Sequence, residues 1–252
     1  GGKDGQRFIS AIVSAVNTNP ALQECTNQSI LSGALLGESL KLSPSPQLGQ
    51  YYLVPFNDKN KGKVAQFQLG YKGYIQLAIR SGQYKKLNVL AIKEGELIRF
   101  DPLNEEIEVR LIEDEEEREQ ANTIGYYAMF EYTNGFRKAI YWSKRKMEAH
   151  ALKYSKGYQA KKGYTFWEKD FDGMAYKTML RQLISKWGIM SIDMASAIDS
   201  DMAVINEDGT KDYVDNDATV FDMEPAQEAT PQQSQTEQAV PVDAKAALFG
   251  NN

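Results

Sequence analysis

Thirteen cations crowd the stretch 136–187: Arg137, Lys138, Lys144, Arg145, Lys146, Lys153, Lys156, Lys161, Lys162, Lys169, Lys177, Arg181 and Lys186. Tyr154, Tyr158, Tyr164, Phe166 and Trp167 stand among them. Cations that track phosphates, interleaved with rings on which bases stack at about 1–3 kcal/mol each, suit single-stranded nucleic acid. Tyr164 and Phe166 are the stacking candidates, whereas Trp167, Phe171 and Trp187 fit better as core. Lys144, Arg145 and Lys146 follow a helix cap at Ser143, where the helix dipole disfavours cations by roughly 0.3–1 kcal/mol each. A phosphate bound at that helix N-terminus reverses the sign. Local pairing is the alternative, with Glu148 the only nearby carboxylate.

Two further basic groups belong to the same pattern. Tyr176, Leu180, Leu183, Ile184 and Trp187 recur at helical spacing, and Lys177 and Arg181 lie four apart beside that face. Lys59, Lys61 and Lys63 share a loop, with Lys72 and Arg80 on the next helix; plain solubility explains such a cluster equally well. The roles expected are backbone grip for Lys144, Arg145, Lys153, Lys177 and Arg181. Lys59, Lys61 and Lys72 serve a second strand or the groove edge. Lys146, Arg137, Lys161, Lys162 and Arg80 complete the DNA-binding set.

Covalent chemistry finds no seat. The chain lacks a phosphate-binding G-x-x-x-x-G-K-[ST] loop, a dinucleotide G-x-G-x-x-G turn and a G-x-S-x-G elbow. Its single cysteine, Cys25, rules out an intrachain disulfide and a cysteine-cluster zinc site, and points to a reducing cytoplasm. His150, the single histidine, is the one conventional acid–base candidate. The acidic residues from Asp199 to Asp217 lack the pattern of a calcium loop. No catalytic residue and no metal ligand is assigned.

These side chains need elements to carry them. Phe8, Ile9, Ile12, Val13 and Val16 make an amphipathic helix ended at Asn19-Pro20, and Asn27 caps a second helix through Leu40. Strands are expected at 51–54 and 64–67, then a helix over 71–81 closed by Gly82. Further strands are expected at 87–92, 97–100 and 107–112, and the acidic run Glu113–Glu117 reads as an exposed loop. Residues 124–132 and 136–142 form a hairpin about Asn134-Gly135, a pair suited to a type I′ turn. Helices follow over 143–155 and 166–187. The class is α+β, with an antiparallel or mixed β-sheet core and flanking helices.

Charge divides the chain. Residues 188–252 hold two basic residues, Lys211 and Lys245, against thirteen acidic ones. Subtracting these from the 29 basic and 34 acidic residues of the whole leaves 27 against 21 before them. A basic body with an acidic tail is the layout of a protein that meets polyanions. The tail, few in large apolar residues, is expected to be disordered beyond residue 205, with Ala246–Phe249 as an apolar island. With 42% hydrophobic and 25% charged residues, an ordinary globular protein is expected, without a membrane span or signal peptide. The Gly1-Gly2 start reads as a tag scar or a trimmed segment.

The chain resembles the RecT family of phage-type single-strand annealing proteins, relatives of phage lambda Red beta. The matching stretches are Leu40-Lys41-Leu42-Ser43-Pro44, Tyr52-Leu53-Val54-Pro55-Phe56-Asn57 and Gln68-Leu69-Gly70-Tyr71-Lys72-Gly73-Tyr74-Ile75. Leu77–Gly82, Trp167 and Met174-Ala175-Tyr176-Lys177-Thr178 through Arg181, Leu183 and Lys186 continue the match. Gln182 departs from an expected arginine, and Gly188-Ile189 from an expected Leu-Pro. The resemblance implies a protein that coats single-stranded DNA and anneals complementary strands through a paired intermediate, as a ring or helical filament. It implies no required cofactor, with Mg²⁺ as an aid. It also implies a partner 5′→3′ exonuclease, contact with the host single-strand binding protein through the C-terminal region, and a bacterial, prophage-encoded origin in the cytoplasm. An annealing core at 1–198 is expected, with N-terminal helices at 1–45 for oligomerisation and a sheet with DNA-binding helices at 46–198, before an acidic tail at 199–252. A filament-forming scaffold is the competing class and a metal nuclease the third.

Overall fold

In a computed structural model of the chain, residues 3–58, 60–163 and 165–213 are described. Helix α1 (Lys3–Thr18), a tight helical turn (Pro20–Glu24) and α2 (Asn27–Ser39) lead into strands β1 (Tyr51–Asp58) and β2 (Gly62–Leu69). Helix α3 (Tyr71–Ser81) precedes β3 (Tyr84–Lys93), the short pair β4 (Leu97–Asp101) and β5 (Glu106–Val109), and α4 (Glu115–Gln120). Then come β6 (Thr123–Tyr132), β7 (Arg137–Ser143), α5 (Lys144–Tyr154), α6 (Lys156–Gln159), α7 (Phe166–Lys169), α8 (Phe171–Trp187) and α9 (Ile192–Ser200). Strands β8 (Ala203–Ile205) and β9 (Lys211–Tyr213) follow.

The strands form three antiparallel sheets, ordered β1-β2-β8-β9, β3-β6-β7 and β4-β5. The fold is α+β, and the sheets are antiparallel throughout the described residues. Helix α8 binds the two larger sheets together. Leu180 and Ile184 enter a core with Phe67, Leu69, Tyr74 and α2, while Ala175, Met179 and Leu183 enter a second with Tyr126, Phe130, Met147 and Trp167. Its apolar side is therefore split between two cores. The Gly70–Gly73 turn admits a close approach, since a Cβ on Gly73 would lie 2.1 Å from the Gln50 carbonyl oxygen. Gly82 ends α3 in the left-handed region at φ 69°, as its position predicts.

Several elements differ from expectation. Thr26, not Asn27, caps α2, accepting a bond from Ser29 N. The acidic run is not a loop: Asp114 caps α4, whose first turn holds Glu115, Glu116 and Glu117, where the helix dipole favours carboxylates. The β6–β7 turn has a three-residue loop, Thr133-Asn134-Gly135, in which Gly135 alone adopts positive φ. That is the type I turn with a left-handed third residue, not the type I′ pair. Asp170, at φ −147°, divides the expected 166–187 helix into α7 and α8.

The largest difference is at the C-terminal side. Helix α9 and strands β8 and β9 carry structure past the expected boundary at 198, because Ala203 pairs with Phe67 and extends the first sheet. The apolar triplet Ala203-Val204-Ile205 is wholly buried, which a disordered tail cannot supply. The remainder of the expected tail, 214–252 with Ala246–Phe249, lies outside the described residues. No described helix is long and apolar enough to cross a membrane.

Candidate nucleic-acid interface

Strand β2 builds one wall of a groove. Ala65, Phe67 and Leu69 alternate into the first core, so Gln66 and Gln68 face the other way. Gln66 Nε2 donates to the Met202 carbonyl at 2.6 Å, and Gln68 Nε2 donates to Gln66 Oε1 at 2.8 Å. These bonds let two amides be buried without cost in unmet polarity. With Val54, Pro55, Phe56, Met174 and Met202 they floor a groove of about 890 Å³.

The opposite wall comes from the 155–169 segment. Ser155 caps α6, and Thr165 with Glu168 makes a reciprocal capping box at α7. Glu168 also accepts from Gly163 N at 2.9 Å, so one carboxylate gathers the whole turn. Its hydrogen bond from Thr165 holds its pKa below the usual carboxylate range. This turn presents Lys162, Phe166 and Lys169, while Lys156 comes from α6 and Lys63 from β2. Phe166 lies 5.7 Å from Tyr52, ring centroid to centroid. Lys63 pairs with Glu24.

The structure thus brings together Lys162 and Phe166 from the expected site, with Lys161 beside them in a left-handed conformation at φ 50°. Tyr164 and Lys59 lie outside the described residues. Lys156, Lys169 and Lys63, basic in sequence but not selected, line the groove. Glu168 was missed altogether, although the Thr165-x-x-Glu168 spacing is a legible capping box.

A second basic area surrounds the start of α5. Ser143 Oγ accepts from Lys146 N at 3.2 Å, the expected cap. Lys144 is half-buried; Arg145 and Lys146 are exposed. Lys146 Nζ lies 4.3 Å from the Trp142 ring centroid, and burial together with the Lys186 charge pulls its pKa down. Lys153 sits 4.8 Å from the Tyr154 ring centroid and is exposed.

The remaining sites are elsewhere. Lys177 and Arg181 do not reach a groove: both are buried against Asp201, with nitrogen–oxygen distances of 3.0 Å each. Burial pushes the Lys177 ammonium pKa down, offset by the Asp201 charge. Leu69 N also donates to Asp201 at 2.8 Å, so this carboxylate ties α8 to the first sheet. The helical spacing put these cations beside the apolar face, and the chain beyond α9 then folded over them. Arg80 closes the end of α2 through the Leu40 carbonyl at 2.7 Å. Lys61 pairs with Asp212 and donates to Asn206. Lys72 and Arg137 are exposed, away from the groove lining.

His150 packs among Trp142, Tyr154 and Trp167, and burial with the nearby Lys153 and Lys146 charges lowers its pKa to about 4. A neutral imidazole in an aromatic nest outside the groove lining is a packing residue. Among the described residues no three His, Cys, Asp or Glu side chains converge as a metal site.

A model of the RecT family matches residues 6–218. Protein YqaK of Bacillus subtilis (strain 168) is 40% identical over 249 residues, covering 97% of this chain and 80% of its own. Protein RecT of Escherichia coli (strain K12) is 31% identical over 199 residues, covering 78% of this chain and 71% of its own. With its sheets, its helices and nearly all its described length inside that match, the chain belongs to the RecT family of single-strand annealing recombination proteins.

Proposed function

We propose that this protein binds single-stranded DNA along the groove between β2 and the 155–169 turn, and anneals complementary strands without ATP. The observation that carries this reading is the lysine edge itself: Lys63, Lys156, Lys162 and Lys169 around Phe166 and Tyr52. Lysines spaced along a groove neutralise phosphates and release counterions, which lowers the repulsion between two approaching strands. Phe166 offers a ring face to a base. Backbone contacts carry no sequence information, so complementarity is tested by base pairing alone.

The cations at the start of α5 extend the grip. Lys146 and Lys186 repel one another there, and a phosphate between them and the helix N-terminus relieves that repulsion. Protomers assemble side by side through the N-terminal helices, where α1 exposes Ile9 and Val13. Such an oligomer holds one strand extended, so trial duplexes zip or dissociate. Mg²⁺ aids annealing by screening phosphates, and no cofactor takes part. The protein works in the bacterial cytoplasm beside a 5′→3′ exonuclease, and its C-terminal region contacts the host single-strand binding protein.

The test mixes complementary labelled oligonucleotides with the protein, without ATP, across a salt series. Acceleration that falls steeply with salt and leaves both strands full length supports the reading. The variant Lys156→Ala/Lys162→Ala/Lys169→Ala, folded but unable to bind strands, assigns the groove. Undiminished binding by that variant overturns the assignment; no acceleration by the native protein favours the scaffold, and shortened strands in Mg²⁺ favour a nuclease.

A further inference from the structure

Large apolar side chains stand in water at the end of α8. Phe136, Trp187, Ile189, Met190 and Ile192 are exposed, Ile192 to 90%. The backbone beneath them is fixed. Tyr132 Oη donates to the Trp187 carbonyl at 3.1 Å and accepts from Ile189 N, while Tyr84 Oη donates to the Ile189 carbonyl at 3.2 Å. Phe136 stacks on Tyr132 at 5.8 Å between ring centroids. Exposed Lys85, Lys86, Arg137 and Lys186 surround this patch, with Glu131 the carboxylate that Lys85 and Lys86 share.

The β4–β5 hairpin has the opposite character. Residues 94–119 hold twelve carboxylates against Arg99, Arg110 and Arg118. At its root the buried Glu96 carboxylate accepts from Lys93 N at 2.7 Å, Ile112 N at 3.2 Å and Arg118 Nε at 2.6 Å. Phe100 packs on Tyr141, and Glu105 pairs with Lys138. The hairpin is therefore a braced arm, yet it turns Ile98, Leu103 and Leu111 outward, Leu103 to 87%.

An acidic arm with exposed apolar side chains and a cation-rimmed apolar patch match in charge and in polarity. Both stay exposed in the single chain. Lys138 sits 3.5 Å from the Trp187 ring centroid while it pairs with Glu105, so the arm's tip and the patch border one another. Complementary surfaces that adjoin on one face close about a two-fold axis, each serving the other copy. We propose that a second copy of this chain covers this face, with the arm of each protomer seated on the patch of its partner. None of these side chains lines the groove, so the contact leaves strand binding open.

Cys25 is buried and is the chain's single cysteine, which makes disulfide trapping clean. Full-length Leu103→Cys and Ile192→Cys proteins of different tag length are mixed, oxidised and resolved by mass, with strand affinity measured on the same samples. The expected result is a mixed pair joined between positions 103 and 192. Its yield should fall at least about tenfold when Glu106→Lys and Glu108→Lys are added to the arm, since like charges then face the patch. Adding Arg137→Glu and Lys186→Glu to the partner should restore it. Absence of the mixed pair, or a yield blind to both charge changes, overturns the contact. So does protection of the cysteine at 192 by a single-stranded oligonucleotide, which would make the patch a DNA surface. Trapping without strand affinity would instead retire the groove reading and leave this contact standing.

Discussion

Lys177 donates to Asp201 across 3.0 Å in the protein interior, joining the middle of α8 to the residue just before β8. Arg181 reaches the other carboxylate oxygen at the same distance. Two cations and one carboxylate are thus held where water is scarce, and burial pushes the Tyr74 phenol up beside them. Removing one partner from such a set leaves a buried charge uncompensated.

Asp201→Ala should therefore destabilise the protein by about 3–5 kcal/mol. Lys177→Ala should cost stability in the same way, not strand affinity in the fraction that stays folded. Urea denaturation followed by tryptophan fluorescence measures the first, and strand binding of the folded fraction measures the second. A Lys177→Ala protein of native stability that has lost strand binding would return this residue to the DNA interface.

Groove lysines should register in the salt dependence. Each of Lys162→Ala and Lys169→Ala should flatten the slope of log K against log salt by about 0.7, the share of one phosphate on a single strand. Fluorescence anisotropy with a labelled oligonucleotide between low and moderate salt reads this directly. An unchanged slope with reduced affinity would mean the lysine shapes the groove without touching phosphate.

Neighbouring rings should behave in opposite ways. Phe166→Ala should weaken strand binding by about 1–3 kcal/mol while the fold persists, because the ring edges the groove. Trp167 is 2% exposed in the second core, and Trp167→Ala should cost about 3–5 kcal/mol of stability. Melting and binding measured on both variants separate the two roles, and a swap of effects would place the stacking face on Trp167.

His150 makes stability depend on acid. Its folded pKa of about 4 lies below the ordinary imidazole value of 6.5, so the unfolded chain binds the proton more readily. Its contribution is complete above pH 6.5 and declines as pH falls toward 4. The melting temperature of the native protein should drop across that window more steeply than that of His150→Phe, which keeps an aromatic in the nest without the titration. Parallel pH profiles would show that the acid sensitivity comes from carboxylates instead.

Local order was legible because its causes are local. Ser143 and Gly82 ended elements where expected, since a cap needs only its own turn. The β6–β7 pairing followed from two alternating runs around Asn134-Gly135, although the neighbouring backbone set the turn type. Family membership was likewise readable, being spread through ordered stretches from Leu40 to Lys186. Tertiary structure alone decided which cations face outward. Lys177 and Lys162 are the same residue type in the same basic stretch, yet one is buried by Asp201, which returns with β8, and the other edges the groove. Helical periodicity fixes a residue's side of its own helix but carries no record of what distant chain folds onto it. The groove, too, exists only where β2 and the 155–169 turn, some hundred residues apart, come to face each other.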